Sequence, residues 1–246
     1  MLLLKLKTED GVIRYEKGYE EFARWLGVQG IENVISNTCD VEDKWIRGRV
    51  KLLKTEFGEF LLKEKRSSLF RSSILKEFQN GILLKESGVA VLSIVVCVSS
   101  KKYKRDYGFL PYISGSLSGL HIIKNLLWNG FSDSLRKRVV WTVADIVARM
   151  HTAGFVHGDL NPSNLLIYGL NDRNLKVYLL DFGGVRKSSS LFARVKDLAR
   201  LWRSAKEVVS ERDGFRFLRR YLSIVRGDIR DYIYAVERRL RKIRKR

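Results

Sequence analysis

The chain has 246 residues, 45 % of them hydrophobic, enough to bury a sizeable core and too many for a disordered polyelectrolyte. It carries 47 Lys and Arg against 27 Asp and Glu, and the net charge of +20 favours polyanionic partners: nucleotide phosphates, nucleic acid or an anionic membrane surface. Cys39 and Cys97 have no metal-ligand spacing and make no disulfide scaffold; no apolar run is long enough to span a bilayer, and the opening MLLLKLK is too short for a signal-peptide core.

Residues 1–45 carry little pattern. A short amphipathic helix is expected over 19–26, with Phe22, Trp25 and Leu26 on one face and turns at Gly27, Gly30, Asn33 and Asn37. No G-x-G-x-x-G occurs here to cover a phosphate. Residues 49–55 and 59–65 read as two strands joined at Glu56-Phe57-Gly58. The second strand carries Lys63 after the apolar triplet Phe60-Leu61-Leu62. Such a lysine can reach nucleotide phosphates. Lys65, Lys51 and Lys54 compete for the role, and Lys63 and Lys65 share strand parity.

A helix is expected over about 70–86, with Ile74, Phe78 and Ile82 along one face and Gly88 as its stop. Glu77 lies beside that face as the candidate partner of Lys63. The β-branched run 89–99 reads as one buried strand. A basic turn, KKYKRDYG, follows, then a short strand over 109–113. Pro111 has no amide hydrogen, so Leu110 or Tyr112 would supply any backbone donor to an adenine ring. The Gly/Ser stretch 114–119 marks a boundary between an N-terminal unit (1–113) and a C-terminal one (114–246).

From Leu120 the chain reads as mainly helical, with a well-patterned helix over 135–153 ended by Gly154. It delivers the chain to HGDLNPSN (157–164) and then to VYLLDFGG (177–184), two apolar runs about a turn at 169–172. Phosphoryl transfer needs a positioned base, hard oxygen ligands for Mg²⁺ and charge neutralisation. Asp159 suits the base. Asn164 offers an amide oxygen and Asp181 a carboxylate to the metal. His157 fits a structural role, and His121 and His151 have no partner suggesting metal ligation. The next acid, Asp197, anchors the loop or is an ordinary helix acid. Only a short segment separates Gly184 from it, there is no A-P-E, and Gly158 stands where phospho-regulated kinases carry arginine; these features argue against a phosphorylation switch. Helix is expected over 191–209, and 215–246 reads as helical and strongly basic.

With FLLK, LKEF, VARMHTAGFVHGDLNPSNLLI, VYLLDFGG and KDLARLW assembled, the chain resembles the protein-kinase-like superfamily, and within it the bacterial lipopolysaccharide core kinases (the Kdo/heptose kinase family), over roughly residues 47–225. The resemblance implies an α+β, two-lobed protein-kinase-like fold. Its N-lobe is small and mainly antiparallel β with one helix; its C-lobe is mainly helical. It implies ATP and Mg²⁺ as cofactors and a lipid-anchored sugar hydroxyl as acceptor, at the cytoplasmic face of the inner membrane. Lys63 and Glu77 would orient phosphate, Asp159 would be the base, and Asn164 and Asp181 would hold metal. The basic tail 238–246 would favour an anionic membrane; nucleic acid is a less favoured partner. Two rival classes share these motifs: aminoglycoside- or choline-type phosphotransferases, and small atypical protein kinases or ATPases of the tRNA-modification type. A non-catalytic pseudokinase is disfavoured by the complete set of base, amide and metal carboxylate.

Overall fold

The computed structural model describes residues 4–9, 11–41, 50–66, 73–125, 127–171 and 174–244. The expected boundaries at Arg49, Phe70 and Asp172, and the last residues of the basic tail, lie outside them. The chain divides into two compact units. The first comprises Met1–Glu86, Leu92–Ser114 and Asp181–Gly183; the second comprises Ser87–Val91, Gly115–Leu180 and Gly184–Arg246.

In the first unit a hairpin, β1 (Leu4–Thr8) and β2 (Gly11–Tyr15), precedes α1 (Glu20–Gln29) and α2 (Ile31–Ser36). Then come β3 (Cys39–Asp40), β4 (Val50–Thr55), β5 (Gly58–Arg66), α3 (Ser73–Glu86), β6 (Val96–Ser100) and β7 (Arg105–Pro111). The strands form one antiparallel sheet in the order β1-β2-β6-β7-β5-β4-β3. Strand alternation sorts its two faces. Leu53, Phe60, Leu62, Val96, Val98 and Phe109 point to α1 and α2, where Phe22 stacks on Phe60 at 4.3 Å between ring centroids and meets Phe109 edge-on. On the opposite face Ile74, Phe78 and Ile82 of α3 pack with Ile94 and Cys97. Burial pushes the Cys97 thiol up to about 12, so it is an inert core group.

Several local expectations change. Gly27 lies inside α1 rather than in a turn, Asn33 lies within α2, and Gly30, at φ +74°, makes the break between the helices. The hairpin β1–β2 was not legible, and among the described residues this unit carries α1 and α2 in addition to α3. The apolar run 89–99 is not one strand. Val91 forms an isolated parallel bridge to Leu179 in the second unit, and only Val96 onward joins the sheet of the first. Strand β7 starts at Arg105, so the basic turn is confined to 101–104, where Lys104 takes φ +50°.

The second unit holds β8 (Leu117–Ser118), α4 (Gly119–Lys124), α5 (Leu127–Gly130) and α6 (Asp133–Thr152). These are followed by β9 (Phe155–Val156), β10 (Leu165–Tyr168), β11 (Lys176–Leu179), β12 (Arg186–Lys187), α7 (Leu191–Ala205), α8 (Glu211–Val225) and α9 (Ile229–Arg244). Helix α6 begins at an N-cap, where Ser132 Oγ accepts from Leu135 N–H, and buries Val139, Val143, Ile146, Val147 and Met150. Two paired contacts fix α8 beside it: Arg216 on Asp133 (2.7 and 2.8 Å) and Arg220 on Asp145 (2.5 and 2.9 Å). Helix α7 ends at Ala205, four residues before the expected 209, and the basic C-terminal stretch is two helices with a break at 226–228, where Arg226 adopts φ +58°. No described helix is long and apolar enough to cross a membrane.

The stacked Phe22 is 1 % exposed, so Phe22→Ala is expected to lower the unfolding free energy by about 3–5 kcal/mol in denaturant titration.

Candidate active site

In the first unit the strand–helix geometry singles out one lysine. Lys63 lies on the α3 face of the sheet, opposite Gly108 in the neighbouring strand. A side chain at 108 would collide with Ile94 (2.7 Å) and crowd Ile74 (3.1 Å), so glycine there lets α3 lie close to the sheet. At that distance Lys63 Nζ donates to Glu77 Oε1 at 2.6 Å. Glu77 is 2 % exposed, and a buried carboxylate requires such a partner. Lys51 and Lys65 are exposed, and Lys54 pairs with Glu59 on the surface.

Helix α3 makes two further contacts within this unit that sequence reasoning missed. One turn beyond Glu77, Asn80 Nδ2 donates to the carbonyl of Phe182 at 2.7 Å. Phe182 is fully buried, and the absent side chain of Gly81 leaves room for Ser93, which a Cβ would meet at 2.4 Å. Near the helix end, Lys85 Nζ donates to both carboxylate oxygens of the buried Glu16 at 2.7 and 2.9 Å. Asp181 itself adopts φ +60°, a left-handed conformation that Asp tolerates better than most residues, and a 3₁₀ turn over Phe182–Gly184 follows.

The expected adenine donors are partly redirected. Tyr112 N–H donates to Glu59 O at 2.8 Å, which commits that amide to the sheet and corrects its assignment as a nucleotide contact. Leu110 is buried in register with Leu61.

In the second unit Asp197 decides the shape of the HGDLNPSN loop. It is 1 % exposed, and its carboxylate accepts from His157 N–H at 2.6 Å and Gly158 N–H at 3.0 Å. His151 Nε2 lies 3.4 Å from the same carboxylate, and its Nδ1 is 2.7 Å from the buried Tyr221 hydroxyl. His157 Nε2 donates to Leu180 O at 2.9 Å, and Leu180 N–H donates to Asn164 O at 3.0 Å. These bonds tie the loop to the residue that precedes Asp181. Gly158 sits at φ +79°, and a Cβ there would lie 2.5 Å from Gly184 O; the loop admits no side chain at this position.

The loop then closes on itself. The Asp159 carbonyl accepts from Asn161 Nδ2 at 3.0 Å and from Asn164 Nδ2 at 2.9 Å. With its amino group committed, Asn164 has Oδ1 as the atom for a metal. Arg200, one turn beyond Asp197 on α7, donates to Asp159 Oδ1 at 2.7 Å and also to Gly158 O. Sequence reasoning did not find Arg200; its i+3 spacing from Asp197 was the available signal. Among the described residues no three His, Cys, Asp or Glu groups gather to hold a metal.

A lysine–glutamate pair between strand and helix, an H-x-D-x-x-x-x-N loop anchored by a buried helix aspartate, and a D-F-G turn define the protein-kinase-like class. The profile of the "Lipopolysaccharide kinase (Kdo/WaaP) family" matches residues 40–221, and the chain belongs to that family of phosphotransferases. The solved structure "WaaP in complex with acyl carrier protein" aligns with a TM-score of 0.66 and 22 % identity over 94 % of this chain and 98 % of that one, and so shares the fold. Two curated relatives match shorter stretches. A probable bifunctional tRNA threonylcarbamoyladenosine biosynthesis protein of Methanosarcina acetivorans is 45 % identical over 23 % of this chain. A probable serine/threonine-protein kinase BUD32 homolog of Archaeoglobus fulgidus is 31 % identical over 25 %. The chain spans only 9 % and 29 % of their respective lengths.

Asp197→Ala would leave the His157 and Gly158 amides without their acceptor. A loss of about 2–6 kcal/mol in unfolding free energy is expected, read by denaturant titration. A second consequence concerns pH. Burial holds the His151 imidazole below its usual range, and the Asp197 contact offsets this only in part. Protons therefore bind the unfolded state more readily, so His151 contributes stability that is full above about pH 6.5 and falls as pH drops below it. The melting temperature of the native chain should fall more steeply between about pH 6.5 and 5 than that of His151→Asn.

Proposed function

We propose that this chain transfers the γ-phosphoryl group of ATP to a sugar hydroxyl, of Kdo or heptose, on a lipopolysaccharide core or lipid A glycolipid. The family match over residues 40–221 carries this reading, and the arrangement around Asp159 supports it. Arg200 holds Oδ1 of Asp159, which leaves Oδ2 to take the proton of the attacking hydroxyl. The new bond forms between that oxygen and the γ-phosphorus, the β–γ bridging bond breaks, and ADP departs. Lys63, steadied by Glu77, meets the nucleotide phosphates. Asn164 Oδ1 and the Asp181 carboxylate are hard oxygen donors of the kind Mg²⁺ prefers, and would hold it; bound Mg²⁺ neutralises phosphate charge. The protein would work peripherally on the inner face of the cytoplasmic membrane, where its charge of +20 favours anionic lipid.

A second partner class is favoured by one observation. The second unit contains an apolar cavity of about 400 Å³, lined by Ile122, Trp128, Val143, Leu198, Trp202 and Phe217 among others. It would take an acyl chain, whether of the acceptor lipid or carried on a protein such as the one in the WaaP complex.

The test is transfer of labelled γ-phosphate from Mg·ATP to Kdo- and heptose-bearing lipid A, aminoglycosides, a generic protein and no acceptor. Transfer to the glycolipid is expected, lowered about 10²–10⁴-fold in Asp159→Ala. Arg200→Ala should lower kcat by up to about 100-fold with KM for ATP little changed, and Arg200→Lys should recover part of it. Transfer only to protein, or ATP hydrolysis without acceptor, would move the assignment to the tRNA-modification type.

A further inference from the structure

The segment after the D-F-G turn carries features that phosphoryl transfer does not use. Between Asp181 and Asp197 the chain has no acidic residue and four cations: Arg186, Lys187, Arg194 and Lys196. Strand β12 pairs Arg186 with Val156 and Lys187 with Phe155, and Ser188 N–H donates to Gly154 O at 2.8 Å. The strand it joins runs directly into His157-Gly158-Asp159. The segment is therefore stitched to the chain that positions the proposed base.

Helix α7 then opens on two consecutive large apolar side chains that the fold leaves in water. Leu191 is 48 % and Phe192 66 % exposed. The guanidinium of Arg239 on α9 lies 5.7 Å from the Phe192 ring centroid, and Arg238 beside it is exposed. An adjacent aliphatic–aromatic pair with an arginine against its ring and exposed cations close by in the chain has the chemistry of an interfacial anchor: the apolar tips enter the acyl boundary and the cations meet anionic headgroups. Single-stranded nucleic acid also meets aromatic and arginine side chains, but it stacks on π faces, and leucine offers none. A second copy of this chain is opposed by the net charge.

We propose that Leu191 and Phe192, with Arg239 against the Phe192 ring and the exposed Lys187 and Arg238 supplying further positive charge, form the surface that docks this protein on an anionic lipid bilayer. The site rests on the reading above that the acceptor is lipid-anchored, and it names how that acceptor reaches Asp159. The segment joining β12 to α7 is then the part of the second unit that touches the membrane, beside the loop that bears the base.

The full-length chain would be sedimented with phosphatidylcholine vesicles, with and without phosphatidylglycerol, at physiological salt. Binding only to the anionic vesicles is expected, reduced about tenfold or more in the double variant Leu191→Ser/Phe192→Ser. A Phe192→Trp variant, compared with the native chain for its existing tryptophans, should gain fluorescence quenching by brominated lipid. Unchanged vesicle binding in the double variant, or no added quenching, would overturn the docking surface. So would loss of binding to a single-stranded oligonucleotide in that variant while vesicle binding held. Vesicle binding does not depend on acceptor chemistry. Failure of every sugar acceptor with the docking results intact would remove the functional reading alone; transfer in detergent with vesicle binding untouched by the substitutions would remove the docking surface alone.

Discussion

One buried carboxylate organises the second unit. Asp197 has too little contact with water to be tolerated unless its charge is met by donors, and the donors it finds are two consecutive backbone amides, of His157 and Gly158. That requirement fixes the entry to the loop, and the rest of the loop follows. The His157 ring turns toward Leu180 O, Gly158 passes against Gly184, and Asp159 meets Arg200 from the same helix that carries Asp197. The group that shapes the loop and the group that orients its carboxylate are thus one helical turn apart on α7.

The first unit uses the same device on a different helix. Glu77 on α3 is buried and needs Lys63; Asn80, one turn later, takes the Phe182 carbonyl; Lys85 reaches Glu16. Glycines at 81 and 108 set how closely the helix approaches Ser93 and the sheet. Small residues determine the distances, and polar residues at helical spacing use them. The lysine that meets Glu77 is selected by the packing of α3 rather than by any property of the lysine itself.

This explains what the sequence made legible. Asp159, Asn164 and Asp181 stood out because each lies in a short motif of fixed spacing, H-x-D-x-x-x-x-N for the first two and D-F-G for the third. Lys63 could be nominated but not separated from Lys65, since strand parity is the same for both and only the placement of α3 distinguishes them. Asn80 and Arg200 were missed although each lies one turn from an acid that had been noticed; a helix-face reading extended from Glu77 and Asp197 would have reached them. The run from Val89 to Ser99 was misread as one strand because hydrophobicity reports burial but not which unit does the burying: Val91 bridges Leu179, whereas Val96 pairs in the sheet. Tyr112 illustrates a further limit, since whether an amide is spent on a neighbouring strand is a property of the sheet register and not of the residue.

The backbone at Asp181 narrows the paths along which this protein could change. Its left-handed conformation is open to glycine, asparagine and aspartate and closed to most other residues, while its proposed chemistry demands a carboxylate. The two demands intersect at a single amino acid. Glutamate would keep the charge and forfeit the turn; asparagine or glycine would keep the turn and forfeit the charge. Substitutions that leave the fold untroubled are therefore those that discard the negative group, so a lineage released from selection for phosphoryl transfer could lose it here while conserving every packing contact of the unit.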